Sequence, residues 1–160
     1  MRTLSALANL CAILAGVLLT FITLLTCGNL ILRNTSGGSL AGAFELTAMT
    51  SGAAIAAFMP LCQLRRGNII VDFFTSGLRE SINETLDRLG ALVLAMVFML
   101  LTWRTSVGGL NAFNVQSQSM LMGIPEWIVY AAMVPPFALT ALIGLHQAFL
   151  QPSFPEGSPV

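Results

Sequence analysis

Four long apolar runs alternate with short polar breaks along this chain, and the alternation dictates its architecture. Apolar residues dominate about 7–32, 41–64, 89–110 and 125–150. A helix needs roughly 20 such residues to cross ~30 Å of hydrocarbon. With no water in the bilayer core, a helix is the one open segment that satisfies its own backbone. The pattern therefore predicts an all-α integral membrane protein, with four transmembrane helices in a single membrane domain over 1–160. The first run follows a short basic start at Arg2, as in a secretion signal. It continues uncharged to Leu32, well past the ~7–15 apolar residues of a cleaved signal, so it is expected to be retained as a helix.

The breaks have local causes. Asn34-Thr-Ser-Gly-Gly-Ser39 is turn chemistry, with two glycines free to take positive φ. Pro125 suits a first helical turn, where its missing N–H costs nothing, and Glu126 then lies near the positive end of the helix dipole. Pro135 and Pro136 fall inside the fourth run and are expected to kink it. The tail 151–160 carries Pro152, Pro155 and Pro159 and is expected to be a loose end. The charge-free stretch Thr105 to Gly123, with Asn111, Asn114, Gln116 and Gln118, reads equally as a shallow loop or as a helix extension.

Between the second and third runs the period changes. The segment 65–88, RRGNIIVDFFTSGLRESINETLDR, holds four of the seven arginines and four of the seven acidic residues. On a helical wheel Ile70, Val71, Phe74, Leu78, Ile82 and Leu86 share one side. Asp72, Ser76, Arg79, Glu80, Asn83, Glu84 and Asp87 share the other. This 3.6-residue period predicts an amphipathic interfacial helix over 68–87. Ser81-x-x-Glu84 has the form of a capping box, a place for the helix to restart, and Glu84 stands four residues before Arg88. A connector lying on the membrane surface and a docking surface for a partner are compatible readings.

Arginine placement predicts orientation. Arg2, Arg65, Arg66, Arg79 and Arg88 fall on one side of the four runs, Arg33 and Arg104 on the other. The positive-inside rule then gives N-in, C-in, with the charged segment cytoplasmic.

Composition narrows function. Only 9% of the 160 residues are charged, against roughly 25% in soluble domains, which identifies the bilayer as the solvent. The net charge is zero and no basic run exists, so nucleic acid is not an expected partner. Cys11, Cys27 and Cys62 form no CxxC pair and no metal-ligand spacing with the single His146. They read as small hydrophobes, which argues against a membrane redox enzyme. There is no HExxH, P-loop or GxSxG. No catalytic, substrate-binding or metal residue and no cofactor is expected.

The candidate residues are structural or interfacial. Glu45 is an ionisable group in a span, which raises a transport role. It also sits early in the second helix, where a carboxylate favours the dipole; Arg33 ends the first helix across a short loop and could pair with it. Trp103 with Arg104, and Trp127 with Tyr130, read as interfacial anchors. Ala48, Gly52 and Ala56 form a small-residue stripe that lets helices approach. With Arg65, Arg66, Asp72 and Pro125 these complete the set of structural or subunit-interface candidates.

Several of these positions form an ordered motif set that resembles the DctQ-like family, the small membrane subunits of tripartite ATP-independent periplasmic (TRAP) transporters. Asn29 to Arg33 resembles the family's N-x-x-x-R at the end of the first span. Glu45-Leu46 resembles its Glu-Leu at the start of the second. RRGNIIVD resembles R-x-G-H-I-x-V-D, with Asn68 in place of the common His. Gly123-Ile-Pro-Glu-Trp127 resembles G-I-P-x-W, and Pro135 falls where a proline is usual. The resemblance implies a multi-pass subunit of the bacterial inner membrane. Its implied partners are a large DctM-like membrane subunit, which carries the substrate and sodium sites and moves as an elevator, and a periplasmic substrate-binding protein. Implied substrates are organic anions such as carboxylates, and the small subunit enlarges the fixed scaffold. The alternative is a self-sufficient tetraspan transporter, similar to small multidrug resistance proteins, with Glu45 coupling protons to cation export. Those chains carry a critical Glu in the first span, and here that span has no carboxylate.

Overall fold

The structure, a computed structural model, describes residues 2–38, 40–65 and 80–150. Among them four helices run in order: α1 (Arg2–Ser36), α2 (Ala43–Leu64), α3 (Glu80–Val115) and α4 (Trp127–Leu150). Each is long and apolar enough to cross a membrane. The amphipathic helix expected over 68–87 lies outside the described residues up to 79, as do Arg66, Asp72 and the tail 151–160. Its last turns, from Glu80, continue without a break into α3. The stretch 105–123 divides: α3 runs on to Val115, and an irregular loop follows. α2 passes unbroken through Pro60, and α4 through Pro135 and Pro136.

The helices alternate in direction, so α1 ends beside the start of α2 and α3 ends beside the start of α4. In space the order is α1–α2–α4–α3. α4 packs against the other three, whereas α1 and α3 form the flanks. Burial follows this placement. Only 6% of the most apolar stretch of α1 and 11% of that of α3 is buried, against 28% in each of α2 and α4. Many of the buried positions are small, including Ala8, Ala15, Ala54, Ala56 and Ala95, with Ile143, Thr140 and Pro60 as the largest fully buried side chains. Lipid is as apolar as leucine, so association in a bilayer rests on close packing and hydrogen bonds, which small residues permit. Leu4, Ala8 and Cys11 of α1 meet Leu64 of α2 and Leu139 and Ile143 of α4 in one apolar cluster. All three cysteines are free.

The ends of α1 and α2 explain the first break. Gly37, at φ 69°, closes α1 by donating to the Arg33 carbonyl at 3.2 Å. The Asn29 side chain then accepts from the Leu40 amide at 2.8 Å and turns the chain back toward α2. Gly42, at φ 82°, stands at the N-cap of α2 and supplies no side chain to cap it.

Candidate functional site

Glu45 lies in the first turn of α2, half-buried. Its carboxylate reaches across to the loop 116–126, between α3 and α4. The Leu121 amide donates to Oε1 at 3.0 Å and to Oε2 at 3.3 Å, and the Met122 amide donates to Oε2 at 3.2 Å. Successive backbone N–H groups thus form a concave nest around one side-chain anion. A carboxylate suits it because it is an acceptor only, with room for several donors. No ion pair joins Glu45 to Arg33, which is exposed in the last turn of α1. The sequence leaves an Arg33 partner for Glu45 open; in the structure the carboxylate is bonded to the loop amides instead.

The loop holds itself in shape. α3 ends in a Schellman arrangement, with the Ser117 amide donating to the Ala112 carbonyl at 3.0 Å and the Gln116 amide to Phe113 at 3.3 Å. Gln116 takes the left-handed conformation this requires, at φ 53°, and its side-chain nitrogen also donates to the Phe113 carbonyl at 2.9 Å. Beyond it the Ser119 amide donates to the Ile124 carbonyl, the Gly123 amide to Ser119, and the Glu126 amide to Ser117. The Ser119 hydroxyl accepts from the Ile124 amide at 3.3 Å, and the Ser117 hydroxyl donates to the Glu126 carboxylate at 2.7 Å. Pro125 forms an isolated bridge with Gln118. The Met122 side chain lies over Gly42: a Cβ on that glycine would stand 2.3 Å from Met122 Cγ and 2.7 Å from its Sδ. Gly42 thus has two reasons to be glycine, its backbone conformation and the methionine above it.

A second polar contact joins the opposite ends of α2 and α4. Gln63 and Gln147, both buried, exchange bonds: Gln63 Nε2 donates to Gln147 Oε1 at 2.9 Å, and Gln147 Nε2 donates to the Gln63 carbonyl at 2.9 Å. Sequence reading passed over both. Their signal was that two uncharged polar residues lie near the same end of two parallel spans. Between α3 and α4 the contact is close packing. A Cβ on Gly109 would stand 2.9 Å from Tyr130 Cβ, and one on Gly144 would stand 3.1 Å from Ala95 Cβ. Phe98 meets Phe137 with ring centroids 5.9 Å apart.

The other candidates fall around this frame. Trp127 sets an edge against Phe113, at 5.9 Å between centroids and 84° between planes, so it packs as well as marking an interface. Tyr130 likewise packs over Gly108 and Gly109. Gly52 faces Met133 at an ordinary 3.9 Å. The small-residue stripe is only partly at a helix contact, because Ala56 is buried and Ala48 exposed. Arg65 and Arg104 are exposed. Among the described residues no cluster of His, Cys, Asp or Glu is arranged to hold a metal ion. Among the described residues the arrangement offers mechanical fixation of helices and loop.

A family model described as "Tripartite ATP-independent periplasmic transporters, DctQ component" matches residues 22–152, a stretch that takes in the end of α1, all of α2 to α4 and the Glu45-bound loop. No curated protein and no solved structure matches the chain. With the match covering well over half of its length, this multi-pass membrane protein belongs to the DctQ family of tripartite ATP-independent periplasmic transporter components.

Proposed function

We propose that this chain is the small, non-catalytic scaffold subunit of a sodium-coupled TRAP transporter that imports organic anions such as carboxylates. It works in a bacterial inner membrane with a large DctM-like subunit and a periplasmic substrate-binding protein. The observation that carries the scaffold role is how the buried polar groups are used. Gln63 and Gln147 bond to each other, Thr140 bonds back to the Pro136 carbonyl, and Ser119 bonds within its loop. A solute pathway needs polar groups free to exchange water for substrate. These are committed to holding helices and a loop in place. The poorly buried apolar faces of α1 and α3 supply surface for lipid and for the large subunit. Arginine placement supports N-in, C-in, which puts the Glu45-bound loop on the periplasmic side and Arg65 on the cytoplasmic side.

Proteoliposomes test this reading. The chain alone is expected to move no organic anion. The complex with the large subunit and the binding protein is expected to move it on a sodium gradient. Glu45→Gln is expected to lower the yield of assembled complex more than the uptake rate per assembled complex. Uptake by the chain alone, abolished by Glu45→Gln, would instead establish the self-sufficient transporter. No observation favours that alternative, because Glu45 lies at a helix end with both carboxylate oxygens bonded to loop amides.

A further inference from the structure

The tip of the loop 116–126 is apolar and exposed. Met120 is 98% exposed and Leu121 69%, and Phe44, next to Glu45 in α2, is 85% exposed. On a water-facing loop this would be an isolated apolar patch with nothing to gain from solvent. We infer that the tip is immersed in the bilayer, at the boundary of headgroups and acyl chains, and that Glu45 sets its depth.

Three observations carry the inference. The first is depth. The Leu121 and Met122 amides bond to Glu45, so the tip is level with the first turn of α2. α2 has 22 residues, a length of about 33 Å, which nearly equals the ~30 Å hydrocarbon core. Its first turn, and the tip bonded to it, therefore lie at the hydrocarbon boundary. Trp127, the aromatic that begins α4, is at the same end of the bundle, where aromatic residues gather.

The second is backbone satisfaction. Irregular backbone is tolerated at membrane depth only where its polar groups are already bonded. Leu121 and Met122 donate to Glu45, Gly123 donates to the Ser119 carbonyl, and Ile124 to the Ser119 hydroxyl. The four successive amides from 121 to 124 are thus bonded inside the protein. A loop meant for water would not need this. The third is charge. No Asp, Glu, Lys or Arg occurs between Arg104 and Glu126, and the exposed apolar side chains of the tip, Met120 and Leu121, follow directly on the exposed Val115 at the end of α3. A surface of this chemistry, continuous with a lipid-facing helix, fits lipid.

The test is depth-dependent fluorescence of the full chain in phosphatidylethanolamine vesicles containing acyl-brominated phosphatidylcholine. Met120→Trp is introduced in a Trp103→Phe, Trp127→Phe background, and Leu24→Trp in the same background reports a mid-span position. The Met120→Trp indole is expected to emit at shorter wavelength than in water. Bromolipid is expected to quench it to an extent comparable with Leu24→Trp, and aqueous iodide only weakly. Adding Glu45→Ala is expected to shift its emission to longer wavelength, raise iodide quenching and lower bromolipid quenching. Leu24→Trp should stay quenched by bromolipid in that variant, which shows that the bundle is still inserted. Quenching of the tip by iodide alone would overturn the inference in favour of an aqueous loop. Quenching by neither would overturn it in favour of a tip covered by protein. An unchanged tip signal in Glu45→Ala would overturn the role of Glu45 in setting the depth.

Discussion

Gly42→Ala puts the join between α2 and the loop under the most informative stress. Two costs arise and can be separated. At φ 82° an alanine sits in the left-handed region, at about 1–2 kcal/mol. Its Cβ would also meet Met122 Cγ at 2.3 Å and Sδ at 2.7 Å. Cγ is near the root of that side chain, so Met122 must change rotamer or the loop must lift from Glu45, at about 1–3 kcal/mol. The total expected is roughly 2–5 kcal/mol. Gly37→Ala is the control: Gly37 also has positive φ, 69°, with nothing within 4 Å of an added Cβ, so only the ~1–2 kcal/mol backbone cost is expected. Met122→Ala should remove the steric part and bring Gly42→Ala back to the level of the control. The assay is a denaturant titration of the detergent-solubilised chain, with helicity as the signal, alongside hydrogen exchange at the Leu121 and Met122 amides. Those amides are expected to exchange faster in Gly42→Ala and to keep native protection in Gly37→Ala. A Gly42→Ala variant no less stable than Gly37→Ala, or one that Met122→Ala does not rescue, would show that the Met122 side chain does not press on Gly42.

Three further outcomes are expected. Gln147→Leu should cost about 1–2 kcal/mol, as for hydrogen bonds between helices in membranes. The double variant with Gln63→Leu should recover part of that loss, because two apolar groups leave less unpaired than one; the same titration reads both. Gly109→Ala should destabilise the α3–α4 hairpin by about 1–3 kcal/mol and more than Gly108→Ala, since the nearest atom to an added Cβ is at 2.9 Å in the first case and 3.4 Å in the second. Replacing Arg65 and Arg66 together by Glu should disturb orientation or insertion, read by reporter fusions on each side of the membrane.

The four helices were legible because crossing a bilayer is a property of one segment at a time, and hydropathy reports it directly. Helix pairing was not. All four spans are apolar all round, so no amphipathic stripe distinguishes the inner pair α2–α4 from the flanks. Glu45 was visible as a charge in a span, yet its partner was not, because the nest forms from backbone amides and those have no sequence signature. The turn that delivers them depends on Gln116 in a left-handed conformation, which a Gly or Asn would have advertised. Trp127 and Tyr130 were readable as interfacial residues, but their packing on Phe113 and Gly109 depends on the crossing of α3 and α4. Gly109 and Gly144 carry that crossing, whereas the small-residue stripe that stood out in α2 has Ala48 exposed. Periodicity shows which residues share a face of one helix, and not which face meets a neighbour.

As a proposed scaffold subunit, this chain works only in company. The most direct test is to purify the tagged chain in mild detergent from membranes that also express the neighbouring large membrane subunit, and to measure what is retained. A stoichiometric complex with the large subunit is expected to survive size-exclusion chromatography. A homogeneous chain that retains no large partner would contradict it.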